Sequence, residues 1–318
     1  MTCYEGIYNK YLFSYLMSPA FDSYANHTEN AKGVAYPAIN DDRLYRAIVP
    51  LPPLAEQKRI VAKIEELLPY IERYEKAWSK LKELNKRFPS DMQKSILQFA
   101  IQGKLVEQRT EEGTAEMLYK QIQAEKKRLI KAGKIKKEKP LPEIKDDEKP
   151  FDIPEGWMWV RLGYAISLLS GQDMTASEYN DNSKGIPYIT GASNIEDSCI
   201  IINRWTESAK AIAHKDDLLL TCKGTIGKTA ILAENQVHIA RQIMAITAYI
   251  VDIQFIRFFI ESSINFLKSQ AKSMIPGIER RNVLNLAFPL PPLAEQKRIV
   301  AKIEELMPLC ERLKFEYS

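Results

Sequence analysis

The chain has 318 residues, enough for two domains with cores of their own. Its 45% hydrophobic and 27% charged content excludes wholesale disorder. A net charge of +4 is too small to name a partner, so the distribution of residues has to do so. In chain order, Tyr11–Leu16 reads as a short apolar helix that matches Gln254–Phe259 further on. Pro37-Ala38-Ile39 likewise matches Pro276-Gly277-Ile278. Residues 1–49 therefore read as the end of a globular unit whose front half has no room in this sequence.

The run Pro50–Leu67, PLPPLAEQKRIVAKIEEL, follows, and it recurs letter for letter as Pro289–Leu306. Chance does not produce that, so the chain contains a duplicated unit. Each copy is a stiff Pro-Leu-Pro-Pro lead-in feeding a helix, with Glu56 or Glu295 in a first turn that suits a carboxylate. Ile60, Ile64, Leu67, Ile71, Tyr74, Trp78, Leu81, Asn85 and Phe88 alternate in steps of four and three, an a/d register. Ile299, Ile303, Leu306, Cys310, Leu313 and Tyr317 keep it in the second copy. Pro69 and Pro308 interrupt neither seam, which predicts a kink and not a stop. A coiled coil between the copies is expected; surface helices packed on their own domains are the plainer alternative.

Pro89-Ser90-Asp91 is expected to break and recap the first long helix, with a short helix then ending at Gly103. Thr114 can cap a third helix, closed by Gly133. Lys126–Lys139 holds eight basic residues against Glu138, a solvated linker or a phosphate-contacting arm. Pro140, Pro142 and Pro150 mark a boundary before a mixed unit. Strands are expected at 188–190, 199–202, 218–221, 229–232 and 243–246, and a helix over 252–271.

A catalytic constellation does not emerge. Cys3, Cys199, Cys222 and Cys310 are scattered, and with His27, His214 and His238 they make no metal-ligand pattern. Gly224-Thr225-Ile226-Gly227-Lys228-Thr229 superficially suggests a phosphate loop. Cys222 stands where that motif needs glycine, and Thr229–Leu232 favours a strand where a helix should start. His214 and His238 read as structural. No apolar run reaches the length of a membrane span and no secretion signal opens the chain, so a cytoplasmic protein is expected. Basic and amide side chains do gather near strand ends: Asn194, Lys223, Lys228, Arg241, Gln242, Lys268, Lys272, Arg280 and Arg281, with Thr225 in the same turn as Lys223. Lys and Arg suit guanine edges or phosphates, and Asn and Gln suit adenine, so the set reads as a DNA-reading face.

The duplicated Pro-Leu-Pro-Pro-Leu-Ala-Glu-Gln-Lys-Arg-Ile-Val run closely resembles the conserved regions of type I restriction–modification specificity subunits. Ile153-Pro154-Glu155-Gly156-Trp157 with Leu162-Gly163 resembles the start of a target-recognition domain in that family, and Asp217–Lys228 its central strand and turn. Ser95–Leu105 resembles the end of the central conserved region. The resemblance implies an α+β protein: globular α/β recognition domains joined by long amphipathic helices in an antiparallel coiled coil. Its parts would be a C-terminal fragment of a first recognition domain (1–49), a helical spacer (50–105), a helix and basic linker (106–150), a complete recognition domain (151–288) and a second spacer (289–318).

The family further implies a non-enzymatic subunit that binds double-stranded DNA at one half of a bipartite site and docks modification subunits on its helices. S-adenosylmethionine belongs to those subunits and no cofactor to this chain; a restriction subunit joins the full complex. Ile60, Ile64, Leu67, Ile71, Trp78, Leu81, Ile299, Ile303 and Leu306 would form the helical interface. At about 1.5 Å per residue the seam from Ile60 to Phe88 spans roughly 42 Å, a little over one turn of B-DNA. The first domain would be completed by a second copy of the chain or by a complementing fragment. The alternative is a truncated assembly protein that binds modification subunits and reads no complete site.

Overall fold

The computed structural model describes residues 4–26, 39, 41–135, 139–270 and 277–316. Cys3, His27, Pro37, Ala38, Lys136, Lys137, Glu138, Lys272, Pro276 and Tyr317 lie outside them. The chain divides into two compact units, Met1–Lys86 and Arg87–Ser318.

The first unit is helical: α1 (Asn9–Leu16), α2 (Pro19–Ala25), α3 (Asp41–Tyr45) and the start of α4 (Leu54–Ile101). Ser18 caps α2 by accepting from the Phe21 N–H, and Pro19 takes the first helical position, where its missing N–H costs nothing. Among its described residues Tyr11, Phe21 and Val61 are the buried apolar ones, and the Tyr15 and Phe21 rings meet edge to face at 6.0 Å. The Tyr11 hydroxyl donates to the Pro50 carbonyl and the Tyr15 hydroxyl to that of Ile48, each at 2.7 Å. These bonds hold the lead-in of the first repeat against α1.

The expected stop at Pro89 does not occur: α4 is one helix through Pro69 and Pro89. Each proline removes a single hydrogen bond, and the turns on either side keep theirs. Pro89 is buried, and Ile96, Ala100 and Ile101 beyond it are anchored in the second unit's core, which outweighs the local loss.

The second unit opens with that end of α4 and with α5 (Ala115–Lys131), which Thr114 caps by accepting from Met117 N–H. Then come β1 (Met158–Arg161), α6 (Leu162–Ala165), β2 (Ile166–Ser170), β3 (Ile186–Ile189), β4 (Ile195–Glu196), β5 (Cys199–Ile200), β6 (Trp205–Thr206) and β7 (Ile212–His214). They are followed by β8 (Leu218–Thr221), β9 (Thr229–Ile231), β10 (Gln236–Ile239), β11 (Ile243–Ala248), α7 (Ile253–Ser269), α8 (Arg280–Leu284), β12 (Ala287–Leu290) and α9 (Leu293–Glu316).

One sheet runs β2-β11-β8-β9, antiparallel throughout; another runs β6-β3-β10-β7, with β3 and β10 parallel. Strand β8 is buried on both faces, which is why Leu218-Leu219-Leu220 is a continuous apolar run and not an alternating one. Leu219 joins Ile189, Val237 and Ile239 between the sheets. Leu218 and Leu220 face a larger cluster with α5, α7 and α9. Beside it Arg161, almost fully buried, is paired in bidentate fashion with Glu148 at 2.7 and 2.8 Å and also donates to the carbonyls of Pro142, Glu143 and Asn285. The guanidinium draws the Glu148 carboxyl down to about 2. No helix among the described residues is long and apolar enough to cross a membrane.

Candidate nucleic-acid interface

Three loops of the second unit come together at one place. The β8–β9 hairpin turns through Gly224 (φ +70°) and Gly227 (φ +96°), both in the left-handed region that favours glycine. Thr221 closes it: its N–H donates to the Lys228 carbonyl and its hydroxyl accepts from Lys228 N–H, both at 2.9 Å. A strand follows Lys228 directly, so the glycine-rich stretch is a hairpin turn, as the β-branched Thr229 and Ile231 require. Cys222 N–H donates to the Gln242 carbonyl at 2.8 Å, which sets the β10–β11 turn beside it. The Cys222 carbonyl accepts from Ile278 N–H at 2.8 Å and draws in a third segment.

Gln242 lies where these loops meet. Its side chain is exposed, and its Oε1 is so close to Gly191 that a Cβ there would stand 2.4 Å away. Gly224 also lies near, with the same oxygen 4.0 Å from where its Cβ would be. Two glycines thus leave room for this exposed amide. Lys223 and Thr225 are exposed on the adjoining turn. Arg241, next to Gln242, is exposed but tied to Asp173: its Nε lies 2.6 Å from Oδ2, and its N–H donates to Oδ1. An amide with one donor and one acceptor edge, flanked by an ammonium and a hydroxyl, can hydrogen-bond a base edge while the cation meets a phosphate or guanine.

The other expected reading residues are placed differently. Asn194 is fully buried and spent within its own loop: Oδ1 accepts from Thr190 and Gly191, and Nδ2 donates to Ile201 and Asn203. An asparagine satisfies a tight loop in the same way that it satisfies a base, so sequence could not separate the two uses. Lys228 folds back to donate Nζ to the carbonyls of Ala192 and Ile195, at 3.0 and 2.6 Å. Arg280 donates to the Leu168 carbonyl. Lys268 is exposed on α7, and Arg281 is exposed and paired with Glu279. Lys272 is outside the described residues. His238 is structural: Nδ1 accepts from the Lys210 and Ala211 N–H groups, leaving Nε2 to donate to Gln172, and burial lowers its pKa.

On the helices, Leu67, Ile71, Trp78 and Leu81 stand exposed along α4, while Ile60 and Ile64 are half-buried. Ile299 and Ile303, expected on a helix–helix seam, are fully buried in the second unit's own core, and Leu306 packs against it. Two further groups of the repeat have uses that residue type alone does not reveal. Gln57 accepts from Tyr8 N–H at 2.8 Å at the start of α1, and Gln296 accepts from Asp252 N–H at 2.9 Å at the start of α7. This equivalence shifts the expected alignment by one residue: Tyr11 corresponds to Phe255, not Gln254. Glu295, expected only as a first-turn acid, is buried and accepts from the Trp157 indole at 2.9 Å and the Gln108 amide at 2.6 Å. Burial raises its pKa, against the pull of those two donors.

The chain is similar to known proteins in sequence and fold. The chain matches the Type I restriction modification DNA specificity domain over residues 3–82 and 154–314, a match in each unit. It is 28% identical over 321 residues to the Type I restriction enzyme EcoAI specificity subunit of Escherichia coli, covering 84% of this chain and 54% of that protein. It is 33% identical over 246 residues to the EcoEI specificity subunit of the same organism, covering 69% of this chain and 39% of that protein. The chain thus spans about half or less of the length of these relatives. Its fold is similar to that of the HsdS subunit from Thermoanaerobacter tengcongensis: TM-score 0.52, 23% identity, 99% of this chain and 66% of that one. A structure described under complex assembly and conformational transition of the type I R-M system aligns with TM-score 0.50 and 25% identity, over 98% of this chain and 67% of that one. The duplicated helix lead-in, the Trp157 strand and the matched domain in both units agree: the chain belongs to the type I restriction modification DNA specificity domain family.

Proposed function

We propose that this chain is a DNA-recognition component of a type I restriction–modification complex and is not itself an enzyme. The second unit reads one part of a bipartite duplex target. The observation that carries this is the exposed Gln242 amide, set where Gly191 and Gly224 leave it room, with Lys223 and Thr225 on the adjoining turn. An exposed amide with no side-chain hydrogen bond among the described residues keeps both its donor and its acceptor for a base edge. The exposed apolar seam of α4 is the surface offered to modification subunits, which carry the S-adenosylmethionine; a restriction subunit joins that assembly, in the cytoplasm. The first unit is completed by a second copy of the chain or by a complementing fragment.

Gel shifts on bipartite duplexes, with modification subunits present, test the reading. Gln242→Ala should relax one target position at a cost of about 1–3 kcal/mol, whereas Lys223→Ala should weaken all sequences alike and lower the salt slope by about one. Both variants binding and methylating as the parent does would reject this face. One observation favours a second reading, an assembly protein that reads no complete site: the first unit has only helices among its described residues, with no counterpart of the three-loop face. Modification subunits that assemble on the chain while no duplex is selected would decide for it.

A further inference from the structure

The repeat supplies two identical sequences in unlike surroundings. In the second copy, β12 pairs antiparallel with β1, Met158 opposite Leu290 and Arg161 opposite Ala287. Leu290 is 0% exposed. Glu295 takes the Trp157 indole and the Gln108 amide, and Arg298 is paired with Glu112 at 2.7 and 2.8 Å. In the first copy the same residues lack these partners. Leu51 is 56% exposed and Ile48 87%. Glu56 and Arg59 are exposed and make no ion pair or side-chain hydrogen bond among the described residues.

The backbone is arranged the same way. Leu162 N–H donates to the Leu286 carbonyl, and antiparallel ladders bond at alternate residues, so Phe288 and Leu290 carry the ladder bonds to β1. Their counterparts are Val49 and Leu51, which make no backbone hydrogen bond among the described residues. The Tyr11 and Tyr15 hydroxyls take the carbonyls of Pro50 and Ile48, on the opposite edge. The first repeat is therefore held by one edge and, among the described residues, has no backbone partner on the other, an edge available for strand addition.

We propose that the first repeat is a receptor for a strand from another polypeptide with the chemistry of Gly156–Arg161: a tryptophan immediately ahead of an extended apolar segment. The indole N–H would go to Glu56, a carboxamide from the same partner would join it there, and a carboxylate would meet Arg59. The chain's own Trp157 strand is engaged at the second repeat and is not the occupant. This deepens the reading of the first unit as a domain awaiting completion and takes nothing from the DNA-reading proposal.

Amide hydrogen exchange on the full chain tests it, with a synthetic peptide of the Phe151–Ala165 sequence as probe. The peptide should slow exchange at Val49 and Leu51 at least about tenfold and saturably, leaving Phe288 and Leu290 unchanged. A Trp157→Ala peptide, or a Leu51→Asp chain, should show no slowing. To keep a weak peptide from hiding the effect, the same segment is also fused ahead of the chain by a flexible linker, which raises its effective concentration to the millimolar range. The proposal is overturned if neither form slows Val49 and Leu51, or if the Trp157→Ala peptide works equally well. Protection that appears with rising chain concentration alone would overturn it in favour of a second copy as occupant. A failure of DNA reading would appear in the gel shifts and leave this exchange pattern untouched.

Discussion

Pro50–Leu67 and Pro289–Leu306 are the same sequence, yet one is a surface and the other a core. Gln57 and Gln296 are both fully buried and both serve the helix packed before them. Leu51 and Leu290, in contrast, differ by more than half of their surface, and Glu56 and Glu295 differ in exposure and partners. What a residue does with its nearest helix is the same in both copies. What it does with a strand from far along the chain depends on whether that strand is there.

The largest expected effect is at the apolar position. Leu290→Ala should destabilise the second unit by about 2–5 kcal/mol through a core cavity. Leu51→Ala should change stability by less than about 0.5 kcal/mol, as exposed positions do. Urea unfolding of both variants would break the contrast if their midpoints shifted together. Next comes the acid. Trp157→Phe keeps most of the packing but takes one donor from buried Glu295, at a cost of about 1–3 kcal/mol. Glu56→Gln should stay within about 0.5 kcal/mol of the parent.

The glutamines sharpen the other half of the comparison. Gln57→Ala and Gln296→Ala should each cost about 1 kcal/mol and speed amide exchange at Tyr8 and Asp252 respectively. An effect at only one of them would show that the two copies are not equivalent even locally. The smallest signal is in the pH dependence. Folded Glu295 keeps its proton to higher pH than an unfolded glutamate, so its contribution is full below the ordinary carboxylate pKa and is lost as pH rises through the raised one. Glu148 has the opposite sign: its pairing with Arg161 contributes fully above the ordinary 4.5 and is lost as pH falls towards about 2. Melting temperatures across that range should flatten on the alkaline side in Glu295→Gln and on the acid side in Glu148→Gln.

Much of the architecture was legible because it is local. Thr114 before an amphipathic run specified the start of α5, and Leu218–Leu220 between turn residues specified a central strand. Cys222, standing where the motif needs a glycine, excludes a phosphate loop on sequence alone. The candidate site was legible in part. Lys223, Thr225, Arg241 and Gln242 do gather, since turns at neighbouring strand ends share one rim of a sheet. Asn194, Lys228 and Arg280 did not follow, because each found carbonyls or amides inside the protein that a list of residue types does not contain. The stop expected at Pro89 failed for a similar reason, with distant packing outweighing one lost hydrogen bond.

The sequence by itself determined the duplication, the proline lead-ins, the heptad register and the polar character of the turns. All of these follow from neighbours within a few residues, where backbone geometry leaves few choices. Only the tertiary structure decided that Ile299 and Ile303 face a core, that Glu295 holds Trp157, and that Leu51 is bare where Leu290 is covered. Burial is a property of what lies opposite, and two identical sequences cannot differ in anything except what the rest of the chain brings to them.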